Sequence, residues 1–481
     1  MKKEHIILIL IILIGFILRL KGLIANPPFW HDEAALGWNV LNKNYSDLFG
    51  KLRFLQIAPP MFLILTKFLV FITNSYSHIY QCDFVLRLIP FICGNLSLIM
   101  FWYVGNKIFH SKWVTLTGIC LLALNPVLIN YSYEFKPYSV DVFCSLIALY
   151  IMLNINFKNA NTKLMVIYGS ILAILPWFSF GSSFIIIAGF MTLSFKRDNP
   201  KLFTTLLMPV AISAFIYLKC FVIKSYLSNA HGMLSFWQTE FVTKDLSNLT
   251  QLNTQNLQYF FSNIPHLSLL LVILCIITGF ILTIKDSKLS LVLISILTFS
   301  TLTVASMMKL YPYSRRMILF LIPFLIIYIV KILDIKKWII GCIILSFILI
   351  PHTIFAYNFI KLKNINKGDY SRTMMQIIDK NITPQETIVI NEGSNADFFY
   401  YNTFYKLQNK IEYIKPNHTK NETNSSLMKR LPPGKYWLFM SYDYNTKFKN
   451  IQEITNWADK NGKITFKTQA TQSALIRLVL D

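Results

Sequence analysis

The chain has 481 residues, of which 54% are hydrophobic and only 14% are charged, and its formal net charge is +23. A soluble domain of this length needs a larger polar surface, so the composition excludes that class and indicates a polytopic membrane protein. The positive excess falls largely in short loops between apolar runs, which is typical of membrane proteins, and no nucleic acid partner is expected. The cysteines are scattered without a C-x-x-C pair, which argues against a disulfide framework or a zinc site.

About eleven apolar runs are each long enough, or nearly so, to cross a bilayer as a helix. The first run is too long for the core of a signal peptide and no small-residue cleavage site follows it, so we expect it to be retained. The predicted spans are 5–24, 84–105, 113–131, 138–156, 164–179, 180–195, 202–222, 266–284, 289–308, 316–333 and 337–356. The segment PWFSFGSS leaves open whether 164–195 is a tight hairpin of two spans or one kinked segment.

The run IAPPMFLILTKFLVFIT, residues 57–73, decides the topology. If this run lies along the membrane surface, the basic loops between spans all fall on one side, which the positive-inside rule makes cytoplasmic. Lys67 and the paired prolines also favour an interfacial helix, and the N-terminus is then cytoplasmic. Arg19 and Lys21 oppose this pattern, but they lie near the outer end of the first span and are expected to snorkel to the surface.

With this orientation, the loop 25–83 and the C-terminal part 357–481 face away from the cytosol. The C-terminal part is rich in Lys, Asn, Thr and Asp. Its β-rich runs are 387–390, 436–442 and 474–480, and its amphipathic helical patterns are 371–382 and 451–462. The predicted fold is therefore mainly α: a polytopic membrane helix bundle over residues 1–356, with juxtamembrane helices, followed by an extracytoplasmic α/β domain over 357–481.

Two adjacent carboxylates, Asp32 and Glu33, stand at the outer mouth of the first span within PPFWHDEAALGWNVL. An acidic pair at a bilayer surface costs solvation unless it has a partner, which makes the pair a candidate base or metal site. The alternative is that Asp32 caps a short helix and Glu33 is favourable in its first turn. His31 is a further possible ligand for a divalent cation, although a lone histidine is commonly an ordinary interfacial residue.

A second polar group, Glu134, Lys136 and Tyr138, lies at another outer membrane end in NYSYEFKPYSVD, and Asp141 begins the next span. Ionisable residues at membrane depth usually mark a substrate path, while the alternative is a structural ion pair between Glu134 and Lys136.

The segment YPYSRR adds Arg315 and Arg316 at the outer end of a later span. Guanidinium groups bind phosphate by bidentate hydrogen bonds, but they also anchor membrane proteins to lipid headgroups. Carboxylates that accept a proton and cations that hold a phosphate together favour displacement at a phosphate-linked carbon.

Several of these segments form an ordered series. The residues concerned are Arg19, Leu20, Trp30, Asp32 and Glu33, then Pro59, Pro60 and 61–63, then Arg87, Leu88 and Pro90, then Tyr131, Ser132, Glu134, Lys136, Pro137 and Tyr138, and last YPYSRRMILFLIP. The series resembles bacterial GT-C membrane glycosyltransferases, in the branch of the dolichyl-phosphate-mannose protein mannosyltransferases and the lipid A aminoarabinose transferases. Lys136 departs from the arginine usual in this family, so it keeps the charge but lacks the bidentate fork. The tail from Asp379 to Tyr401 is similar to the extracytoplasmic domain of some bacterial members.

The resemblance implies a hexosyl or pentosyl transferase in the bacterial cytoplasmic membrane that works at the outer face. Its sugar would come from a polyprenyl-phosphate donor and go to a hydroxyl of a lipid, glycan or protein acceptor. The resemblance makes Asp32 and Glu33 the candidate catalytic residues, with Asp32 as the base and Glu33 as a supporting carboxylate or metal ligand. The candidate residues for binding the donor and its phosphate are Glu134, Lys136, Tyr138, Arg315 and Arg316. A divalent cation is possible, since some relatives use one.

The residues agree with a lipid-borne donor, because the chain has no G-x-G-x-x-G or G-x-x-x-x-G-K-[ST] motif and no predicted cytoplasmic domain for a nucleotide. One alternative is a transporter or flippase for lipid-linked sugars, although such proteins tend to carry ionisable residues near the midplane and internal repeats. The other alternative is an assembly protein whose C-terminal domain recruits partners.

Overall fold

The computed structural model describes residues 3–158, 161–195, 199–226, 232, 234–261, 266–334, 338–363, 365, 370–414, 427–441, 449–470 and 473–481. A bundle of mostly apolar helices is followed by a small mixed sheet with its own helices, which confirms the predicted fold class. The last apolar helix runs past the predicted domain boundary at residue 356 and ends at Lys361.

Helices lie over the predicted spans, although 316–333 begins as a 3-10 helix (Arg315–Leu321) and residue 337 lies outside the described part of the chain. They are α1 (Lys3–Ala25), α2 (His31–Asn42), α3 (Pro60–Ile72), α4 (Ile79–Leu86), α5 (Leu88–Ile108), α6 (Lys112–Leu124), α7 (Pro126–Ser132), α8 (Tyr138–Asn154), α9 (Thr162–Phe178), α10 (Phe180–Ser194), α11 (Pro200–Tyr217, continued as a π-helix over Leu218–Tyr226), α12 (Leu246–Phe260), α13 (His266–Lys285), α14 (Leu289–Met307), α15 (Ile322–Lys331) and α16 (Trp338–Lys361). The segment 164–195 is two helices, α9 and α10, joined by Ser179 in an extended conformation.

The number of helices that are long and apolar enough to cross a membrane is smaller than the eleven predicted spans. Within the described ranges, six helical segments are long and apolar enough to cross a membrane, or seven if α6 and α7, bent by 59°, form one span. Helices such as α8 have 17 residues, about 26 Å of helix against a hydrocarbon core of about 30 Å. The apolar helices therefore indicate a multi-pass membrane protein, and several of them, such as α8, are shorter than the hydrocarbon core is thick.

The ambiguous run 57–73 forms the 13-residue helix α3. This length corresponds to about 20 Å, which is too short to span the membrane alone. The Lys67 ammonium, at the buried side of α3, donates a hydrogen bond of 2.7 Å to the carbonyl of Val40 at the end of α2. The helix thus supports the outer loop, and its interfacial placement stays a prediction.

Arg19 does not snorkel, so that prediction is wrong. Its side chain is buried and donates to the carbonyls of Ala123 at 3.0 Å and Leu122 at 3.2 Å. These carbonyls lie where α6 ends and the chain bends into α7, so they have no intrahelical donors. The arginine is drawn inward because it satisfies this bend. Lys21 similarly donates to the carbonyl of Leu362, just after α16, at 2.8 Å.

The C-terminal unit contains a five-stranded sheet in the order β2-β1-β3-β5-β4. Its strands are β1 (Thr387–Asn391), β2 (Ile411–Ile414), β3 (Gly434–Ser441), β4 (Lys463–Ala470) and β5 (Ser473–Leu480), and its helices are α17 (Ser371–Asn381), α18 (Asn395–Tyr405) and α19 (Lys449–Asn461). β1 is parallel to β2 and β3, whereas β5 is antiparallel to β3 and β4. The strand runs predicted at 387–390 and 474–480 and both predicted helices are confirmed, and so is the run 436–442 as far as Ser441, since residue 442 lies outside the described residues. The elements β2, β4 and α18 were not predicted.

The C-terminal unit docks on the outer loop through a buried polar contact. The Asp83 carboxylate, at the end of that loop, accepts hydrogen bonds from Tyr400 at 2.6 Å and Arg372 at 2.9 Å. The backbone N–H of Phe29 donates to the Tyr401 hydroxyl at 2.8 Å, and the Phe29 ring stacks on Tyr400 at 5.0 Å. Helix α18 is therefore packed directly against the segment that carries the acidic pair.

Candidate functional site

The acidic pair stands at the start of α2 because the chain before it cannot be helical. Pro27 and Pro28 precede an extended Trp30, which is the cap of α2 and makes no side-chain capping bond. Asp32 and Glu33 therefore belong to the first helical turn, where negative charge is favourable. The alternative that Asp32 caps the helix is wrong, since its carboxylate has other partners.

Asp32 faces two cations that come from distant parts of the chain. Its Oδ2 lies 2.9 Å from Nη2 of Arg316 and 4.0 Å from Nζ of Lys136. Burial raises the pKa of Asp32, but the charges of Lys136, Arg316 and His31 outweigh burial, so the pKa is lowered. Asp32 is thus an ionised carboxylate at neutral pH, held at the point where three predicted segments meet.

Lys136 is held by a tight turn between α7 and α8. Its backbone N–H bonds to the carbonyl of Glu134 at 2.7 Å, and Pro137 then leads into α8. The buried ammonium donates to Oε1 of Gln56 at 2.8 Å. Burial lowers the pKa of Lys136, and the neighbouring carboxylates, Asp32 first, restore it only in part.

The guanidinium of Arg316 lies over two aromatic rings. Its Cζ lies 5.2 Å from the ring of Trp30 and 5.5 Å from that of Trp237, a distance at which cation–π attraction contributes. The charge of Arg316 also interacts with the predicted residues Tyr138 and Glu134. The structure therefore brings Asp32, Glu134, Lys136, Tyr138 and Arg316 together.

Arg315 lies outside this group. Its side chain is exposed, while its backbone N–H donates to Oδ1 of Asn256 at 2.6 Å. The residue has a φ of 30°, which turns the chain sharply between the two arginines. Of the two predicted arginines, only Arg316 faces the acidic pair.

Glu33 is fully buried, and other groups already hold both of its carboxylate oxygens. Oε1 and Oε2 each accept a hydrogen bond of 2.9 Å from Arg87, and Oε1 also accepts one from the backbone N–H of Phe135 at 2.7 Å. Arg87 further donates to the carbonyl of Pro27 at 2.7 Å. This geometry favours a bracing role for Glu33, which ties α2 to α5 and to the turn that carries Lys136, over the predicted catalytic one.

We expect the substitution Glu33→Gln to destabilise the protein strongly. It removes one partner of a buried ion pair and leaves the Arg87 charge uncompensated, which costs about 3–5 kcal/mol. The free energy of unfolding, followed by titration with a denaturing detergent, measures this loss. The matched control is Glu412→Gln, which breaks the exposed pair between Glu412 and Lys410 and should cost no more than about 1 kcal/mol. Equal losses in the two variants would contradict the bracing role.

Residues without an assigned role in the sequence analysis complete the site. Arg87 belongs to the motif of Arg87, Leu88 and Pro90, and this motif was the available sign that the residue matters. Gln56 and Trp237 stand in stretches without a motif. Asp397 in α18 lies 3.8 Å from Nδ1 of His31, measured to its Oδ2. No periodic or motif signal connects a residue of the C-terminal unit with the first outer loop.

The residues present do not fit a divalent cation well. Among the described residues, no three His, Cys, Asp or Glu side chains converge in a way that could hold a metal ion. The Glu33 oxygens bond to Arg87, and Asp32 bonds to Arg316, so of the three possible ligands His31, Asp32 and Glu33 the last two already serve cations of the chain.

A largely apolar cavity of about 720 Å³ lies between α12, α13, α14 and the segment that follows Tyr313. Asn256 lines the cavity and also binds the backbone of Arg315, so one end of the cavity lies beside the arginine segment. Its other polar lining residues are Thr250, Asn253, Thr254, Ser300, Thr303 and Tyr313. The lining of this cavity suits an apolar chain.

No family model and no curated protein matches the sequence, but solved structures match the fold. Apo ArnT from Cupriavidus metallidurans aligns with a TM-score of 0.56 at 10% identity, over 98% of this chain and 97% of ArnT. ArnT bound to undecaprenyl phosphate aligns at 0.51 and 8%, over 98% and 97%. The Archaeoglobus fulgidus oligosaccharyltransferase with zinc and sulfate aligns at 0.51 and 13%, over 97% of this chain and 72% of that one. ArnT and the oligosaccharyltransferase are both GT-C glycosyltransferases, so this chain has the fold that the sequence resemblance implied.

Proposed function

We propose that this chain is a membrane glycosyltransferase that moves a hexosyl or pentosyl group from a polyprenyl-phosphate donor to a hydroxyl of a lipid, glycan or protein acceptor. The observation that carries the proposal is the ionised Asp32 carboxylate facing Arg316 and Lys136. An apolar cavity lies nearby in the chain, since Tyr313 and Ile318, on either side of Arg316, both line it. A base, a phosphate-binding pair of cations and room for an apolar chain are what such a transfer requires. The undecaprenyl phosphate bound to the structurally similar ArnT supports the same donor class.

Asp32 acts as the base in the proposed transfer. Its carboxylate takes the proton of the acceptor hydroxyl while that oxygen attacks the anomeric carbon of the sugar. The bond from this carbon to the phosphate oxygen breaks, and its electron pair leaves with the polyprenyl phosphate. The products are the glycosylated acceptor, the lipid phosphate and a protonated Asp32, which releases its proton to solvent.

Arg316 and Lys136 stabilise the charge that builds on the leaving phosphate. Before the donor arrives, both cations face Asp32, and this keeps the carboxylate ionised but weakly basic. A donor phosphate that recruits these cations withdraws them from Asp32, so the carboxylate becomes a stronger base only when the donor is in place. Donor binding thereby prepares the base, and a carboxylate without a donor stays inactive.

The site is proposed to open at the outer face of the bacterial cytoplasmic membrane. On the opposite end of the bundle, Asp286 pairs with Lys331 at 2.5 Å and with His110 at 3.4 Å, so the loop after α13, the loop after α5 and the end of α15 meet there. Lys107 and Lys285, in the last turns of α5 and α13, flank these loops and contribute to the basic segments that the positive-inside rule makes cytoplasmic. The distribution supports a cytoplasmic N-terminus and an extracytoplasmic C-terminal unit.

The proposal is tested with the purified full chain in liposomes that contain a radiolabelled polyprenyl-phosphate sugar. We expect release of polyprenyl phosphate that depends on an added acceptor fraction from bacterial envelopes, with label recovered in the acceptor. Label that crosses the bilayer while its bond to phosphate stays intact would instead identify a flippase. The absence of both bond cleavage and movement across a panel of hexosyl, pentosyl and amino-sugar donors would contradict the proposal.

A further inference from the structure

One carboxylate of the C-terminal unit reaches the proposed transfer site. Asp397, in the first turn of α18, is fully buried, and its Oδ2 accepts a hydrogen bond of 2.5 Å from the Ser441 hydroxyl. The same oxygen lies 3.8 Å from Nδ1 of His31, the residue that directly precedes Asp32. Its other oxygen, Oδ1, makes no hydrogen bond with any part of the chain that the structure describes. A buried carboxylate oxygen without a donor is costly, and a native protein keeps such a group only for a reason.

His31 lies between two carboxylates from separate parts of the chain. Burial lowers the pKa of His31, but Asp397, Asp32 and the backbone of Gly393 together raise it above its ordinary value. The imidazole therefore tends to carry a positive charge and attracts both carboxylates. Asp397 and Gly393 belong to the C-terminal unit, whereas His31 and Asp32 belong to the first turn of α2.

A purely structural role explains only part of this arrangement. A carboxylate in the first turn of a helix is favourable, and the Ser441 hydroxyl ties α18 to β3. The docking of the C-terminal unit already has a carboxylate, Asp83, which accepts hydrogen bonds from Arg372 and Tyr400. Docking alone requires neither a second buried carboxylate whose Oδ2 lies near His31 nor one whose Oδ1 has no donor among the described residues.

We propose that Asp397 is a positioning residue of the transfer site, which holds His31 beside Asp32, so that the C-terminal unit completes the site. This inference rests on the proposed function. A histidine held from outside fixes the first turn of α2 and with it the direction of the Asp32 carboxylate. The loss of this support would slow the chemical step, because small displacements of a reacting group reduce rates strongly. Donor binding, which depends on Arg316 and Lys136, would change little.

A double-mutant cycle in the full chain tests the inference, with His31→Gln, Asp397→Asn and the combined variant assayed in liposomes. We expect each single change to lower kcat by roughly 10- to 100-fold while KM for the donor stays within about threefold. The combined variant should be no slower than the slower single variant, because Asp397 acts through His31. Losses that multiply in the combined variant, or a change confined to KM, would overturn the inference.

Glu386→Gln is the matched control for a general weakening of the C-terminal unit. Glu386 is also buried, and its partners Arg477 and Trp437 lie within that unit, away from the site. The control should lower thermal stability and leave kcat unchanged, and an Asp397→Asn variant that behaves in the same way overturns the inference.

Two further variants distinguish a failure of this inference from misfolding and from a failure of the proposed function. If Asp397→Asn does not fold, Ser441→Ala removes only the hydrogen bond that orients the carboxylate and should lower kcat in the same direction but less. If Asp32→Asn is inactive while Asp397→Asn has full kcat, the inference fails and the proposed function stands. If Asp32→Asn keeps full activity, the proposed function itself fails.

Discussion

The replacement of Asp32 by asparagine is expected to lower kcat for sugar transfer by roughly 10²- to 10⁴-fold, the range that a general base contributes. Asparagine preserves the size of the side chain but cannot accept the acceptor proton. The same change frees Arg316 and Lys136 from their carboxylate, so undecaprenyl phosphate should bind at least as tightly as to the wild type. Single-turnover release of label from a polyprenyl-phosphate sugar measures the first effect, and a lipid-phosphate binding assay measures the second.

Asp47→Asn provides the matched control, because Asp47 is an exposed carboxylate of the same outer loop. It should transfer sugar at the wild-type rate. Asp32→Glu keeps the base but moves it by one methylene, so its activity should lie between those of the wild type and Asp32→Asn. Unimpaired turnover in Asp32→Asn would remove Asp32 from the mechanism, and a parallel loss of lipid-phosphate binding would show that the residue serves donor binding instead.

The meeting of the segments that carry Asp32, Lys136 and Arg316 was predictable, because these segments belong to one ordered series of motifs. Asp32, Lys136 and Arg316 lie far apart in the chain, yet each stands at the same predicted end of a span, and helices of similar length bring such ends together. The choice between Arg315 and Arg316 was not predictable. It depends on the backbone turn at Arg315, which has a positive φ although the residue is not glycine.

The role of Glu33 and the contribution of α18 depend on contacts that no local pattern encodes. The sequence places Glu33 next to Asp32 with the same chemistry, but Arg87 removes Glu33 from the reacting group by occupying both of its oxygens. The α18 segment, NADFFYYNTFY, is rich in aromatic residues that are common in strands, and packing against α2 makes it helical. Asp397 reaches the site only through that docking, so its position followed from the tertiary structure alone.

The replacement of Arg316 by alanine is expected to lower kcat/KM by roughly 10²- to 10³-fold, the cost of removing a preorganised donor from a developing negative charge. Arg316→Lys should recover only part of this loss, because an ammonium keeps the charge but lacks the planar fork and stacks less well on Trp30 and Trp237. Steady-state kinetics with a radiolabelled polyprenyl-phosphate sugar measures both variants.

Arg315→Ala removes the same charge one position earlier and is the matched control. Its side chain is exposed and lies outside the polar group, so kcat/KM should stay within about threefold of the wild type. A loss in Arg315→Ala that equals the loss in Arg316→Ala would mean that the donor phosphate lies on the other side of this segment.

The identity of the leaving group separates charge stabilisation by Arg316 from simple packing. A sugar linked through a diphosphate leaves more easily than one linked through a monophosphate, so its departure depends less on a nearby cation. If Arg316 stabilises the charge that builds on the phosphate, the loss in Arg316→Ala should therefore be smaller with the diphosphate-linked donor. An equal loss with both donors would indicate that Arg316 holds Trp30 and Trp237 in place, because a packing defect is insensitive to the leaving group.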